Sequence, residues 1–319
     1  MLLLLKRTLP IAVAAALLAP AAASAASKPT VTTGGASNIA PTSVTLSGRV
    51  DPNNADTTYF FRLGTTKLYG IQTTVTSAGS GGSPVRVSAT VTGLAPATRY
   101  HYRLYAVNEI GIGHGIDRTF KTKIQPLGVS LSATPNPIAP GAGSTLAGTL
   151  SGTNNAHRAV VLQANPYPYT QGFAAVGNPQ LTDASGNFSF NVLSVLVTTQ
   201  YRVLMPSRPQ VVSPIVLLGA AFQVITHAHK VKRHRHSVGV RFRGTVTPPN
   251  DGGRVAIQKF RNGAWTEIAH TVAKDDGASQ SRFRKRVRLH RSGQYRVVAE
   301  AQGAYVSGAG RAITIKVPR

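Results

Sequence analysis

Tyr100, Tyr102, Leu104 and Ala106 alternate with His101, Arg103 and Tyr105. A backbone that sends successive side chains to opposite faces gives this stretch one apolar and one mixed face, the period-two signature of a half-buried strand. The same alternation runs through Val44 and Leu46 against Thr45 and Ser47, and further strands are read at 58–63 and 87–91. Between these runs stand turn formers, Asp51-Pro52-Asn53-Asn54 and Gly79-Ser80-Gly81-Gly82-Ser83. No long run of Glu, Lys, Leu and Ala recurs at helical spacing, so the chain is expected to be all-β. The absence of cysteine excludes disulfides, Fe–S clusters, Cys-ligated zinc and a thiol nucleophile. Apolar cores alone must therefore carry the stability.

One stretch is more specific. Gly93-Leu94-Ala95-Pro96-Ala97-Thr98-Arg99-Tyr100-His101-Tyr102-Arg103, followed by Ala106-Val107-Asn108, Gly111 and Thr119-Phe120-Lys121-Thr122, resembles the fibronectin type III pattern around its sixth and closing strands. The likeness spans 27–123, about a third of the chain. It implies that Tyr100 is the tyrosine of a tyrosine corner, its hydroxyl returned to upstream backbone, with Leu94 and Pro96 as structural residues of the same turn. Many such domains carry a buried Trp in the second strand; Gly48 stands near that place, so this core must be filled differently. The integrin-binding Arg-Gly-Asp tripeptide is absent.

The remainder reads as two copies of one unit. Gly148-Thr149-Leu150 matches Gly244-Thr245-Val246, Ala159 to Gln163 matches Arg254 to Gln258, and Gln200-Tyr201-Arg202-Val203 matches Gln294-Tyr295-Arg296-Val297, at offsets of 96, 95 and 94 residues. Three ordered matches at a near-constant offset predict a duplication, with one immunoglobulin-sized sandwich per copy; chance similarity among β-rich segments is the rival. The segment 182–190, Thr-Asp-Ala-Ser-Gly-Asn-Phe-Ser-Phe, resembles the turn and strand of bacterial immunoglobulin-like and carboxypeptidase-regulatory-like domains, and Asp275-Asp276-Gly277 takes the corresponding place. The expected organisation is a signal peptide at 1–25, a fibronectin type III-like domain at 27–123, and immunoglobulin-like sandwiches at 124–225 and 226–319, the last boundary lying near Thr226 where His, Lys and Arg begin to dominate.

The signal peptide is read from Lys6-Arg7, the apolar run from Leu9 to Ala22 and the small residues Ala23-Ser24-Ala25. An uncleaved anchor is the rival, but Pro10 and Pro20 interrupt a run that is short for a span of about 20 residues. The most apolar later stretch, 211–225, contains Pro214 and is also too short, so the mature chain is expected to lack a transmembrane span. These features place the protein outside the cell or in its envelope.

Charge is concentrated at one end. Residues 27–123 hold ten Lys and Arg against four acids, 124–225 three against one, and 226–319 twenty against five, a net +15 in the last module. Within it, Arg282, Arg284, Arg286, Arg288 and His290 share one strand parity, while Phe283, Val287 and Leu289 share the other, with Lys285 breaking the apolar set. Arg241 and Arg243 stand against Val240 and Phe242 in the same way. Unpaired charge is too costly to bury, so these faces must point to solvent. Together with Lys230, Lys232, Arg233 and Arg235 they form the candidate surface for a polyanion: an anionic envelope polymer, an acidic glycan or extracellular nucleic acid. The bland alternative is a solvated, highly charged surface.

His227, His229, His234 and His236 form two His-x-His pairs, weak candidates for a transition metal. The pairs fall on opposite parities, Lys230, Lys232, Arg233 and Arg235 repel a metal, and a basic linker is the alternative. Catalysis is not expected. No Gly-x-Ser-x-Gly elbow occurs, Gly111 to Gly115 reads as a loop between strands, and Asp275-Asp276-Gly277 reads as a hairpin turn rather than paired carboxylates. No cofactor is implied. Tyr167 and Tyr169 can present rings at a loop tip or cover a sandwich edge, and Trp265 is read as packing. The function these features favour is adhesion or envelope association; a spacer array and an accessory module beside a secreted carbohydrate-active enzyme are the alternatives.

Overall fold

The computed structural model describes residues 25–277 and 279–318, so all of the expected signal peptide except Ala25 lies outside the described residues. Strands and turns account for the regular structure, and no helix among the described residues is long and apolar enough to cross a membrane. The fold is all-β, antiparallel sheets paired into immunoglobulin-like sandwiches, and the chain divides after Gln125 into two compact units.

In the first unit the strands Thr30–Ser37, Ser43–Asp51 and Val85–Thr92 form one sheet. The facing sheet is ordered Ile71–Gln72, Thr57–Gly64, Arg99–Asn108, Gly111–His114, with Thr76–Gly79 and Arg118–Lys121 completing its ends. The parity read from Tyr100 to Ala106 is the parity observed: every second residue of Arg99–Asn108 is buried. Leu46, Phe61, Leu63, Tyr102 and Leu104 fill the space between the sheets, each worth about 1.5–3 kcal/mol of burial. Gly48 explains how this core does without a large ring in the second strand. A side chain there would run into the Leu104 methyl and the Thr32 carbonyl, so Leu104 from the opposite sheet occupies the room instead. The Tyr100 hydroxyl accepts a 2.9 Å hydrogen bond from the Ala95 N–H. Leu94 is buried beside it, and the Pro96 carbonyl accepts from the Thr98 hydroxyl at 2.9 Å. Gly111–His114 is itself a short strand, hairpinned onto Tyr105 to Asn108, where a loop was expected.

The second unit holds two cores, one from Val129 to Leu218 and one from Phe222 to Ile315. They repeat each other in detail. Gly148 pairs with Phe188 and Gly244 with Phe283. At both glycines a Cβ would strike a backbone carbonyl of the preceding segment, Ser130 or Ile225, and the partner Phe ring. Arg202 lies opposite Gln163 and donates to its side chain at 2.8 Å, with the guanidinium 4.1 Å over Phe173. Arg296 does the same with Gln258 at 2.8 Å and lies 4.4 Å over Trp265. Trp265 thus packs as read.

The two cores meet without a linker. The Ile138 N–H donates to the Gly219 carbonyl at 2.9 Å, Ala221 N–H to Ile138 at 2.8 Å, and Val306 N–H to Ala220 at 2.9 Å. The next strand begins at Gln223, so Thr226 lies inside a strand, not at a boundary, and Phe222 already belongs to the last core.

Candidate functional site

The last sandwich presents a sheet ordered Gln223–His234, Ser237–Thr247, Ser281–Leu289, Lys274–Asp275. The segment carrying the histidines is therefore not a linker: it is a 12-residue edge strand of a hairpin. Phe242, Val240, Val246, Phe283 and Leu289 point inward and are buried. Their neighbours must point out, and they are basic. Cross-strand pairing aligns them in rows: His229 with Arg241 and Arg286, His227 with Arg243 and Arg284, Lys232 with Gly239 and Arg288, and Thr245 with Arg282 and Lys274. Arg243, Arg282, Arg284, Arg286 and Arg288 are exposed and Arg241 is half-buried.

Seven of the ten basic residues singled out in the sequence are thus on one face. Three are not. Lys230 and Arg233 stand opposite the core residues Val240 and Val238, on the reverse side of the edge strand, and Arg235 sits with His236 in the two-residue turn. Lys230 faces that way by ordinary alternation with His229, whereas Arg233 does so because a bulge between Lys230 and Lys232 adds a residue that reverses the alternation beyond it. Lys274 belongs to the face and was missed; its strand is two residues long, too short to show a period.

Among the described residues almost nothing within the sandwich neutralises the face. Asp276 lies 3.5 Å from Arg282 at its edge. Of the other acids in the module, Glu267 and Glu300 contact Arg254 at 2.5 and 3.4 Å, Asp251 accepts from the Ser281 hydroxyl, and Asp275 caps its own turn through the Gly277 N–H at 2.8 Å. Partial desolvation, then the like charges of Arg284, Arg286 and Arg243, push the Arg241 guanidinium below its ordinary value. Its Nε is buried without a hydrogen-bond partner among the described residues. Along a strand, cations two residues apart stand about 6.7 Å from one another, a repulsion of about 0.6 kcal/mol per pair in water before salt screening. Beside the arginine strand a groove of about 630 Å³ is lined by Thr271, Lys274, Arg282, Arg284 and Arg286.

The duplicate supplies a comparison within the chain. In the middle sandwich the positions equivalent to Arg241, Arg243, Arg282, Arg284 and Arg286 are Thr145, Ala147, Asn187, Ser189 and Asn191, and those of His227 and His229 are Ser132 and Thr134. The same sheet therefore forms with neutral residues throughout its outer face. Thr145 bonds Asn191 at 3.0 Å and Thr149 bonds Asn187 at 2.8 Å. Charge at these sites is an addition to the frame, not a requirement of it.

Comparison with protein-family models gives no match, and neither does comparison with curated proteins. Among solved structures, the sensor domain of the anti-sigma factor RsgI4 of Pseudobacteroides cellulosolvens is 22% identical, covers 30% of this chain and 96% of its own, with a TM-score of 0.26. Three fibronectin domains of chicken CNTN1 are 16% identical over 92% of this chain and 99% of theirs, at 0.31. A tetra-tandem repeat from the extending region of a large adhesion protein is 15% identical over 91% of this chain and 74% of its own, at 0.29. None superposes closely enough to transfer an activity.

Other candidates hold less. Among the described residues no three His, Cys, Asp or Glu gather as a metal site; His227 and His229 have Arg243 and Arg241 as cross-strand neighbours. One cluster escaped the sequence reading. The Tyr69 hydroxyl donates to Asp117 at 2.6 Å, and His101 Nδ1 lies 2.8 Å from the other carboxylate oxygen. Burial raises the Asp117 carboxyl and the bonds from Tyr69 and His101 more than offset it, leaving it below the usual range. Burial and the bond to Asp117 push Tyr69 up to about 12. The Asp117 carboxylate holds both partners with separate oxygens, a structural clasp. Its members lie 16 and 48 residues apart, a separation no local pattern reveals. Tyr167 and Tyr169 pack edge to face at 5.6 Å, with Tyr167 partly exposed.

Proposed function

We propose that this is an exported, non-catalytic binding protein whose last sandwich attaches it to polyanions, in adhesion or envelope association. The observation that carries the reading is the contrast between the two copies: one frame, one face neutral and one face lined with arginine. A surface that merely followed composition would charge both. Here 124–225 holds three Lys and Arg while 226–319 holds twenty. Guanidinium groups stay ionised at any physiological pH and pair bidentately with carboxylate, sulfate and phosphate. Rows of them on a solvent-exposed sheet suit an extended acidic polymer outside the cell: an envelope polymer, an acidic glycan or nucleic acid.

Retention of the chain on immobilised heparin, duplex DNA and cell-wall material tests this. At about 50 mM salt the chain is expected to be held, and at physiological salt held far less, as counterion release requires. The combined variant Arg284→Gln, Arg286→Gln and Arg288→Gln is expected to elute markedly earlier. Passage of the unaltered chain through all three matrices at low salt would defeat the reading.

A further inference from the structure

Three imidazoles share the cationic face, and strand parity alone would have divided them. His227 and His229 are odd-numbered and His234 even, yet the bulge between Lys230 and Lys232 absorbs one residue. Beyond it Lys232 comes opposite Gly239 and His234 opposite Ser237, on the outer side that His227 and His229 already occupy. From these positions we infer that polyanion binding by this face is coupled to proton uptake at His227, His229 and His234, so that it tightens in mild acid and weakens above neutrality. The inference rests on the polyanion reading above.

The surroundings of each ring are one-sided. His227 faces Arg243, with Arg284 beyond it; His229 faces Arg241, with Arg286 beyond it. His234 has Lys232 on its own strand and Arg288 across the sheet, Arg235 and His236 form the adjoining turn, and exposed His290 follows Leu289 at the same end of the sheet. Lys230 and Arg233 stand on the reverse side of the same strand, and exposed Arg311 follows the Gly308–Ala309 segment that packs near its other end. Among the described residues no acid enters these rows; Asp276 sits at the far edge with Arg282. A proton added to the free protein therefore meets only like charge. Partial desolvation, Arg288 and Lys232 together hold the His234 imidazole below its usual value.

A bound polyanion reverses the sign of that field. Arginine and lysine stay charged from about pH 5.5 to 8, and an imidazole, with its ordinary pKa near 6.5, is the side chain that changes charge in this window. The bound protein then carries more protons than the free one. Linkage makes affinity rise as pH falls, and the gain disappears as pH rises through the bound-state pKa. With about 0.9 counterion released per phosphate contact as the scale, each added contact at about 0.15 M salt is worth about fivefold, and three together of the order of a hundredfold.

The test measures affinity of the full chain for heparin, whose sulfates stay ionised throughout, at about pH 5.5, 6.5 and 8, beside the variant His227→Gln, His229→Gln, His234→Gln. The chain is expected to bind at least tenfold more tightly at the lowest pH, with a steeper salt dependence there. The variant is expected to keep the affinity the chain shows at pH 8 and lose the response. Binding that is salt-sensitive but flat with pH overturns the inference and leaves the polyanion reading standing. A pH response that survives in the variant overturns the assignment to these three rings. No binding at any pH removes the polyanion reading, and this inference with it.

Discussion

At the scale of single residues, the positions that define the fold are those where a side chain or its absence meets a fixed neighbour. The Tyr100 hydroxyl holds the Ala95 N–H, and Thr122 holds the Ala95 carbonyl at 2.8 Å, so the turn entering the strand is bonded on both sides. Tyr100→Phe keeps the ring stacked on Phe120, whose centroid lies 5.5 Å away, and removes only the hydrogen bond. Its expected cost is about 1 kcal/mol, read as a lower urea midpoint at unchanged slope. No change in midpoint would show that water replaces the hydroxyl and that the corner holds nothing. Gly48, Gly148 and Gly244 make the complementary case: each is small because a neighbour already fills the space its side chain would need.

At the scale of elements, the arginine strand Ser281–Leu289 and its neutral counterpart Asn187–Val192 are interchangeable in packing terms. Arg282→Asn, Arg284→Ser and Arg286→Asn together reproduce the counterpart's outer face. Exposed substitutions of this kind move stability by about 0.5 kcal/mol or less each, and relief of like-charge crowding acts upward. The melting temperature is therefore expected to hold or rise while heparin affinity falls. A fall of many degrees would make the arginines part of the frame and undo the argument from the duplicate. Period-two alternation made the strands and the outward direction of the arginines legible, because burying unpaired charge is too costly to compete with that pattern. It could not reveal the bulge at Lys230, since one unpaired residue leaves no trace in composition yet reverses every side chain after it. That single residue is why Arg233 leaves the face and Lys232 and His234 join it. The junction at Gly219 to Phe222 was illegible for a related reason: it is made by Ile138 and Val306, each more than 80 residues away.

At the scale of the molecule, charge and architecture are separable. Three sandwich cores are built from the same kind of apolar alternation, yet the excess positive charge gathers on the last of them, and within it on one of two sheets. The central claim is that this face, and not the net +25 of the whole chain, sets the attraction to polyanions. The most direct measurement is the slope of log affinity for duplex DNA against log salt, for the chain and for a variant with Arg241, Arg243, Arg284, Arg286 and Arg288 changed to Gln. Five to seven contacts at this face give a slope of about −4.5 to −6.3, and the variant should fall to about −2 or shallower. A variant that kept the full slope would place the contacts elsewhere and contradict the account.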